Sequence, residues 1–245
     1  MTERDYEIRF PDGDVDLYNE TFILIRDGQE QTFRIHDYSG VYQVPGLYEQ
    51  VVSDMLKCVS YEVIPKLLAE AVTEAGEQMS DLRLLDFGAG IGLVASELAK
   101  QGVQTIVGLD IIPEAKDAAE RDHPGIYHDY LVEDVCNLSN DAQARLAQVD
   151  LNCLVCVSAM LGTHVSVDIF RHAFNLVPVG SWVAYNVNAA FWEADSTEGY
   201  KEMVGHMIEQ GLIDVKLQRT YKHRILTDGS SMDNVAIIGK KLGDL

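Results

Sequence analysis

The sequence predicts an α/β fold: a parallel β-sheet with helices on both faces, closed at one edge by an antiparallel hairpin. Three observations carry this. From Arg83 onward, short β-rich runs alternate with amphipathic stretches, the pattern of successive βαβ units. The first run passes directly into a glycine-rich turn, Gly88-Ala89-Gly90-Ile91-Gly92, that opens a helix. The C-terminal stretch changes character and reads as two strands, "LIDVKLQRTYKHRI" and "NVAIIGKKL", around the turn-rich "LTDGSSMD".

The chain begins differently. "TFILIRDGQEQTFRIHDY" consists of two alternating apolar runs around Asp27-Gly28, a hairpin signal. A turn-rich aromatic stretch, "SGVYQVPG" (39–46), follows. Helical spacing then takes over, with Leu47, Val51, Met55, Val59, Val63, Leu67 and Ala71 three or four apart. Pro65 falls inside that run and could divide it into two shorter helices. The expected strands are 83–87, 104–110, 126–134, 150–158 and 180–188, with helices between them and Pro113 at the first position of one. Residues 1–46 thus form an N-terminal hairpin extension and residues 47–245 the α/β domain.

Composition narrows the function classes. The 245 residues include 39 acids against 19 lysines and arginines, a formal net charge of -20. Such a surface repels phosphate backbones and anionic membranes, so neither nucleic acid nor membrane is an expected partner. The start "MTERDYEIRFPDGD" has no apolar core of a signal peptide, and no apolar run reaches the roughly 20 residues of a membrane span. A soluble cytoplasmic protein is expected. Cys153 and Cys156 are spaced C-x-x-C, but they sit in an apolar strand run. Positions three apart on a strand face opposite sides, so shared metal ligation is not expected. Free buried thiols are expected instead, as in a reducing compartment. No Cys/His set has zinc spacing, and no convincing carboxylate set for magnesium is present.

The glycine turn raises the question of its ligand. Glycine permits positive φ and leaves no Cβ in the way of a bound molecule, and a helix N-terminus offers free N–H groups. A dinucleotide fingerprint is G-x-G-x-x-G, which from Gly88 would place its third glycine at Leu93. The actual spacing is G-x-G-x-G, with Asp86 two residues ahead of the first glycine. Asp86 would repel a pyrophosphate and attract an ammonium or a sulfonium. The electrostatics favour a cationic amino-acid nucleoside over NAD.

At "LLDFGAGIG", "VGLDI" and "VEDV", in that order, the sequence resembles the class I S-adenosylmethionine (SAM) dependent methyltransferases, over about residues 47–242. Within them, "LLDFGAGIGLVASELAKQG…VGLDIIPEA…IYHDYLVEDV" is similar to small methyltransferase-like proteins of unassigned substrate. The resemblance implies a Rossmann-like mixed seven-stranded sheet with an antiparallel C-terminal hairpin, and SAM as cofactor. It places the backbone around Gly88, Ala89, Gly90 and Gly92 against the methionine part, with Asp86 near its ammonium, directly or through water. Asp110 would accept hydrogen bonds from the ribose hydroxyls, and Ile111 would lie on the adenine. Asp134 and the Val135 N–H would read the adenine amino edge, and Ser158 would lie on the cofactor side of the loop beyond the fourth strand. Taken singly, Asp110 reads equally as a helix cap before Pro113, and Asp134 as a turn residue.

Methyl transfer is an in-line displacement, so the protein must align a nucleophile and exclude water, and an oxygen or nitrogen nucleophile must also lose a proton, to a protein base or without one. The place to look is "VSAMLGTHVS" (157–166), which lacks the Asn/Asp, prolines and aromatic of exocyclic amino-methylating enzymes. His164 is the candidate base there, since histidine ordinarily titrates near neutrality. A helix-start histidine bonded to backbone is the alternative. Beyond the fifth strand, Asn186, Asn188, Phe191 and Trp192 are candidate substrate contacts, or polar and core groups at a sheet end. Tyr38, Tyr42 and Tyr48 are candidates for a lid, or simply pin the N-terminus to the sheet. Lys216, Arg219, Lys222, His223 and Arg224 concentrate positive charge, with Arg224 the candidate contact for an acidic substrate. On an exposed edge strand the same residues would oppose aggregation. The expected function is methyl transfer to oxygen or nitrogen of a small molecule. A SAM-binding module without turnover and an NAD(P)-dependent oxidoreductase are the alternatives, and the N-terminal hairpin could serve as a lid, as a homodimer contact, or as both.

Overall fold

The computed structural model describes residues 5–11, 19–160, 164–192 and 199–245. The chain opens with β1 (Glu7–Arg9), β2 (Thr21–Arg26) and β3 (Gln29–Arg34), an antiparallel three-stranded sheet in the order β1-β2-β3. The β2–β3 turn is Asp27-Gly28, both at positive φ (53° and 72°), as a two-residue hairpin loop requires. The short helices α1 (Tyr38–Tyr42) and α2 (Leu47–Glu49) follow, α2 running into a wider π-helical turn over Gln50–Met55. Phe22, Leu24, Phe33, Leu47, Val51 and Leu56 bury a small core of their own beneath this segment.

Next come α3 (Ser60–Glu74), β4 (Arg83–Phe87), α4 (Leu93–Lys100), β5 (Thr105–Asp110), α5 (Pro113–Asp122), β6 (Asp129–Val132), α6 (Asn140–Val149) and β7 (Cys153–Cys156). Then α7 (Val167–Phe174), β8 (Trp182–Asn188), α8 (Tyr200–Glu209), β9 (Ile213–Ile225) and β10 (Ser231–Lys241) complete the chain. The main sheet has seven strands in the order β6-β5-β4-β7-β8-β10-β9. β10 alone runs opposite to the other six strands. This is the mixed sheet with the C-terminal hairpin that the sequence predicts.

Strand alternation divides the core. Leu85, Phe87, Leu154, Cys156 and Tyr185 face one helical layer, while Leu84, Ile106, Cys153, Val155 and Trp182 face the other. Cys153 and Cys156 lie on opposite faces and are free thiols, as their spacing predicts. Strand order reverses between β4 and β7, so the carboxyl ends of β5, β4 and β7 meet at the switch point where such sheets bind ligands. No helix among the described residues is long and apolar enough to cross a membrane.

Two elements differ from expectation. The helical run from Leu47 is interrupted at residues 56–59, not at Pro65, which lies inside α3. There the backbone pairs with the end of β9: Ile225 N donates to Leu56 O (2.8 Å) and Val59 N to His223 O (3.0 Å), with Lys57 at φ 56°. A tertiary backbone pairing replaces helical hydrogen bonds. The third strand is confined to Asp129–Val132 because Tyr127 turns inward ahead of it, toward Asp86.

Candidate active site

The glycine turn is the floor of the site. Gly88, Gly90 and Gly92 have φ of 71°, 51° and 92°. A Cβ on Gly88 would stand 2.8 Å from the Ala159 Cβ, so the turn lies close against the exit of β7. The turn is tied to the end of β5. Gly88 N donates to Leu109 O (2.9 Å), and Gly90 N donates to Asp110 Oδ2 (2.9 Å). From the other side, the Tyr130 hydroxyl donates to Gly90 O (2.8 Å) and the Tyr127 hydroxyl to Asp86 Oδ2 (2.9 Å). Both rings fit because Gly108 is bare: a Cβ there would meet Tyr130 at 2.7 Å.

A cavity of about 380 Å³ opens above the turn, within the range of small-ligand sites. On the β5 side its wall includes Asp110 and Ile111. Asp110 is nearly buried (9% exposed), and its oxygens accept from Gly90 N and Ile112 N (3.0 Å), which leaves each a further lone pair. Burial pushes its carboxyl above the usual range, and the backbone donors oppose this. Ile111 is 66% exposed, a large apolar side chain left bare beside that carboxylate. Beyond β6, Asp134 caps a single turn over Val135–Asn137, accepting from Cys136 N (2.9 Å) and Asn137 Nδ2 (2.8 Å). These donors, Asn137 first, hold its carboxyl below the usual range. Asp134 and Val135 both line the cavity.

On the β7 side the wall includes Ser158, Ala159 and His164. Ser158 is a non-glycine residue at φ 57°, a conformation that stores strain. Its N–H donates to Asn186 Oδ1 (2.7 Å), while its buried Oγ has no hydrogen-bond partner among the described residues. The roof is aromatic. Tyr38 and Tyr42 stack at 5.5 Å, and Tyr48 meets Tyr42 edge-on at 5.1 Å. Tyr38 also meets His164 at 5.4 Å, and His36 lies 5.2 Å from His164. Burial first, then His164, lowers the His36 pKa to about 4, so this imidazole is neutral.

Residues 61–223 match a family described as a methyltransferase domain. The chain belongs to that family. This methyltransferase also shares its fold with solved SAM-dependent enzymes. N-methyltransferase NodS from Bradyrhizobium japonicum, in complex with S-adenosylhomocysteine (SAH), is 11% identical over 84% of this chain and 97% of its own, with a TM-score of 0.57. A SAM-dependent methyltransferase from Clostridium acetobutylicum is 12% identical over 80% and 96%, at 0.54. Magnesium protoporphyrin IX methyltransferase from Synechocystis with bound SAH is 11% identical over 74% and 83%, at 0.50. No curated protein sequence matches the chain. The cofactor is SAM, and the cavity fits it: bare glycine backbone, unused lone pairs on Asp110, an exposed apolar Ile111 and an unpartnered buried Ser158 hydroxyl lie around one space. Among the described residues, no group of three His, Cys, Asp or Glu side chains could hold a metal ion.

The methyltransferase places several sequence-predicted residues outside the cavity lining. Asp86 is 1% exposed and sits one residue behind the cavity wall, accepting a hydrogen bond from the Tyr127 hydroxyl. Burial raises its pKa to about 7, the Tyr127 hydrogen bond lowers it, and the Asp110 charge raises it. A cationic ligand nearby favours the charged form, so SAM affinity should rise with pH through about 7. Tyr127→Phe removes a stabiliser of the carboxylate and should move that rise to higher pH. Calorimetric SAM titrations between about pH 6 and 9 check this, and superimposable profiles would contradict it.

Asn186 and Asn188 are buried within the protein's own hydrogen bonds and do not line the cavity. Asn186 Nδ2 donates to the Tyr221 hydroxyl (2.9 Å), which with His223 Nδ1 shares the Ser60 hydroxyl at 2.6 Å each. Asn188 Oδ1 accepts from Ala190 N (2.8 Å) and its amide contacts Met232 Sδ. Trp192 and Phe191 pack against the core. Arg224 is locked to Glu20, whose carboxylate also accepts from Thr227 N (3.0 Å). Lys216 pairs with Asp214 and Arg219 with Glu70 on the edge strand β9, away from the site. Part of the loop 157–166 (161–163) lies outside the described residues. Sequence reasoning missed Tyr127, Tyr130 and His36. A glycine in the middle of β5, opposite Tyr130 in register, was the available signal for the first two.

Proposed function

We propose that this SAM-dependent methyltransferase acts on a small molecule, at oxygen or nitrogen, with residues 1–46 as the cap of the site and residues 47–245 as the catalytic domain. The observation that carries this is the roof. Tyr38, Tyr42 and Tyr48 line one side of a cavity of about 380 Å³, a volume in the range of small-ligand sites, and an aromatic cover there favours a compact acceptor over a polymer strand. SAM supplies a methyl group on a sulfonium sulfur. The residues around it divide the work. Asp110 holds the ribose hydroxyls with its unused lone pairs, Ile111 covers the adenine, and Asp134 with the Val135 N–H reads the adenine edge. The backbone from Gly88 to Gly92 and the Ser158 hydroxyl face the methionine part. His164, on the β7 side and in contact with Tyr38, receives the acceptor's proton. The tyrosine roof excludes water. The buried free cysteines suit a reducing compartment, and we place the protein in the cytoplasm.

SAH release from a panel of small oxygen and nitrogen acceptors, with RNA and peptide controls, tests the substrate class. On the best acceptor, His164→Ala should keep SAM affinity and lose about 100-fold or more in kcat. Unchanged turnover would remove His164 from the mechanism, and turnover on RNA or peptide alone would overturn the small-molecule reading.

A further inference from the structure

The charges around the cavity select among acceptors. The acids Asp110, Glu133 and Asp134 line it, and no lysine or arginine does so among the described residues. The nearest strong cation by sequence expectation, Arg224, is buried against Glu20 and unavailable to a ligand. Burial pushes the Tyr38, Tyr42 and Tyr48 hydroxyls above their usual range, so the roof stays uncharged. A carboxylate or phosphate acceptor would therefore find no counter-charge from the protein in the cavity wall, with only the sulfonium of SAM to offset its desolvation. A cation meets the opposite situation. The three tyrosines line the cavity as one aromatic cluster, with centroids 5.1 to 6.2 Å apart, and Val52, Val165 and Ile169 supply an apolar wall. Aromatic faces carry negative potential and bind ammonium groups, most strongly where water is excluded.

We infer that the methyl acceptor is a small amine with an apolar body, docked as its ammonium under Tyr38, Tyr42 and Tyr48. The assignment rests on the methyl-transfer reading above. For reaction the ammonium first yields one proton to the His164 imidazole or to solvent. The nitrogen lone pair then forms the N–C bond while the S–C bond breaks, its electrons going to sulfur. One ammonium and one sulfonium give a methylated ammonium, SAH and the released proton, so atoms and charge balance. The surface potential of a chain with net charge -20 draws such a cation toward the protein.

The test is calorimetric titration of the SAH-loaded protein with three probes that share a phenethyl body: phenethylamine, 2-phenylethanol and 3-phenylpropionate. The inference predicts that the amine binds at least about ten-fold more tightly than the alcohol, and that the carboxylate shows no saturable binding. Tyr48→Leu should remove the amine preference while Tyr48→Phe, which keeps the ring, retains it. Circular dichroism and thermal unfolding verify that both variants fold. Amine binding no tighter than that of the alcohol or carboxylate, or no amine binding at all, would overturn the acceptor class and leave SAM binding standing. Failure of the wild-type protein to take up SAH would overturn both readings.

Discussion

Asp110→Ala should abolish measurable SAM binding. Two losses combine. The carboxylate oxygens would accept two ribose hydroxyls, and hydrogen bonds to a charged group contribute about 1.5–3 kcal/mol each. The same oxygens already accept from Gly90 N and Ile112 N, so the change also unties the glycine turn from the end of β5. A loss of roughly 3 kcal/mol or more, over a hundred-fold in affinity, is expected. Asp110→Asn keeps the shape but loses the charge and half the acceptors, and should fall between the two. Calorimetry with SAM and SAH, paired with circular dichroism to verify folding, reads this directly. An alanine variant that folds and binds SAM within about three-fold of wild type would contradict the role given to Asp110.

Arg224→Met should be the most destabilising of the changes considered. Both guanidinium nitrogens donate to Glu20, and the two side chains are 5% and 0% exposed. Removing one partner of a buried pair leaves the other charge uncompensated, which costs about 3–5 kcal/mol. For a chain of this size that corresponds to a fall in Tm on the order of 10 °C. The pair joins the chain just before β2 to the end of β9, so the tyrosine roof should loosen with it and SAM affinity should weaken. The double variant Glu20→Met with Arg224→Met should recover much of the loss, because no charge is stranded. Thermal unfolding of the wild type and the two variants tests this. An unchanged Tm in Arg224→Met, with acceptor affinity alone reduced, would restore Arg224 to the substrate-contact role its sequence context suggests.

That contrast shows where sequence reading reaches and where it stops. The strands β4, β5, β7 and β8 are legible because a parallel strand buried on both faces must be an unbroken apolar run. The glycine turn and the strand-end acids are legible because ligand-binding turns need bare backbone at fixed offsets from a strand. Asn186 is the opposite case. A polar residue near a strand end has the same spacing whether it faces a cavity or, as here, holds Ser158 N and the Tyr221 hydroxyl. The interruption at residues 56–59 is equally hidden, since its cause is backbone pairing with His223 and Ile225, far along the chain. Asp86 lies beside the cavity, where its offset from the glycines puts it, and carries a hydrogen bond that the sequence does not announce. Its charge is visible in the sequence, but the tyrosine that covers it lies in another strand's approach, at Tyr127.

The measurement that bears most directly on the central claim is calorimetric titration of the purified wild-type protein with SAM, SAH and NADPH. The account predicts one site of micromolar or tighter affinity for both adenosyl ligands and no heat with NADPH. Binding of NADPH with silence toward SAM and SAH would contradict it, and with it the reading of the glycine turn, Asp110 and every contact built on them.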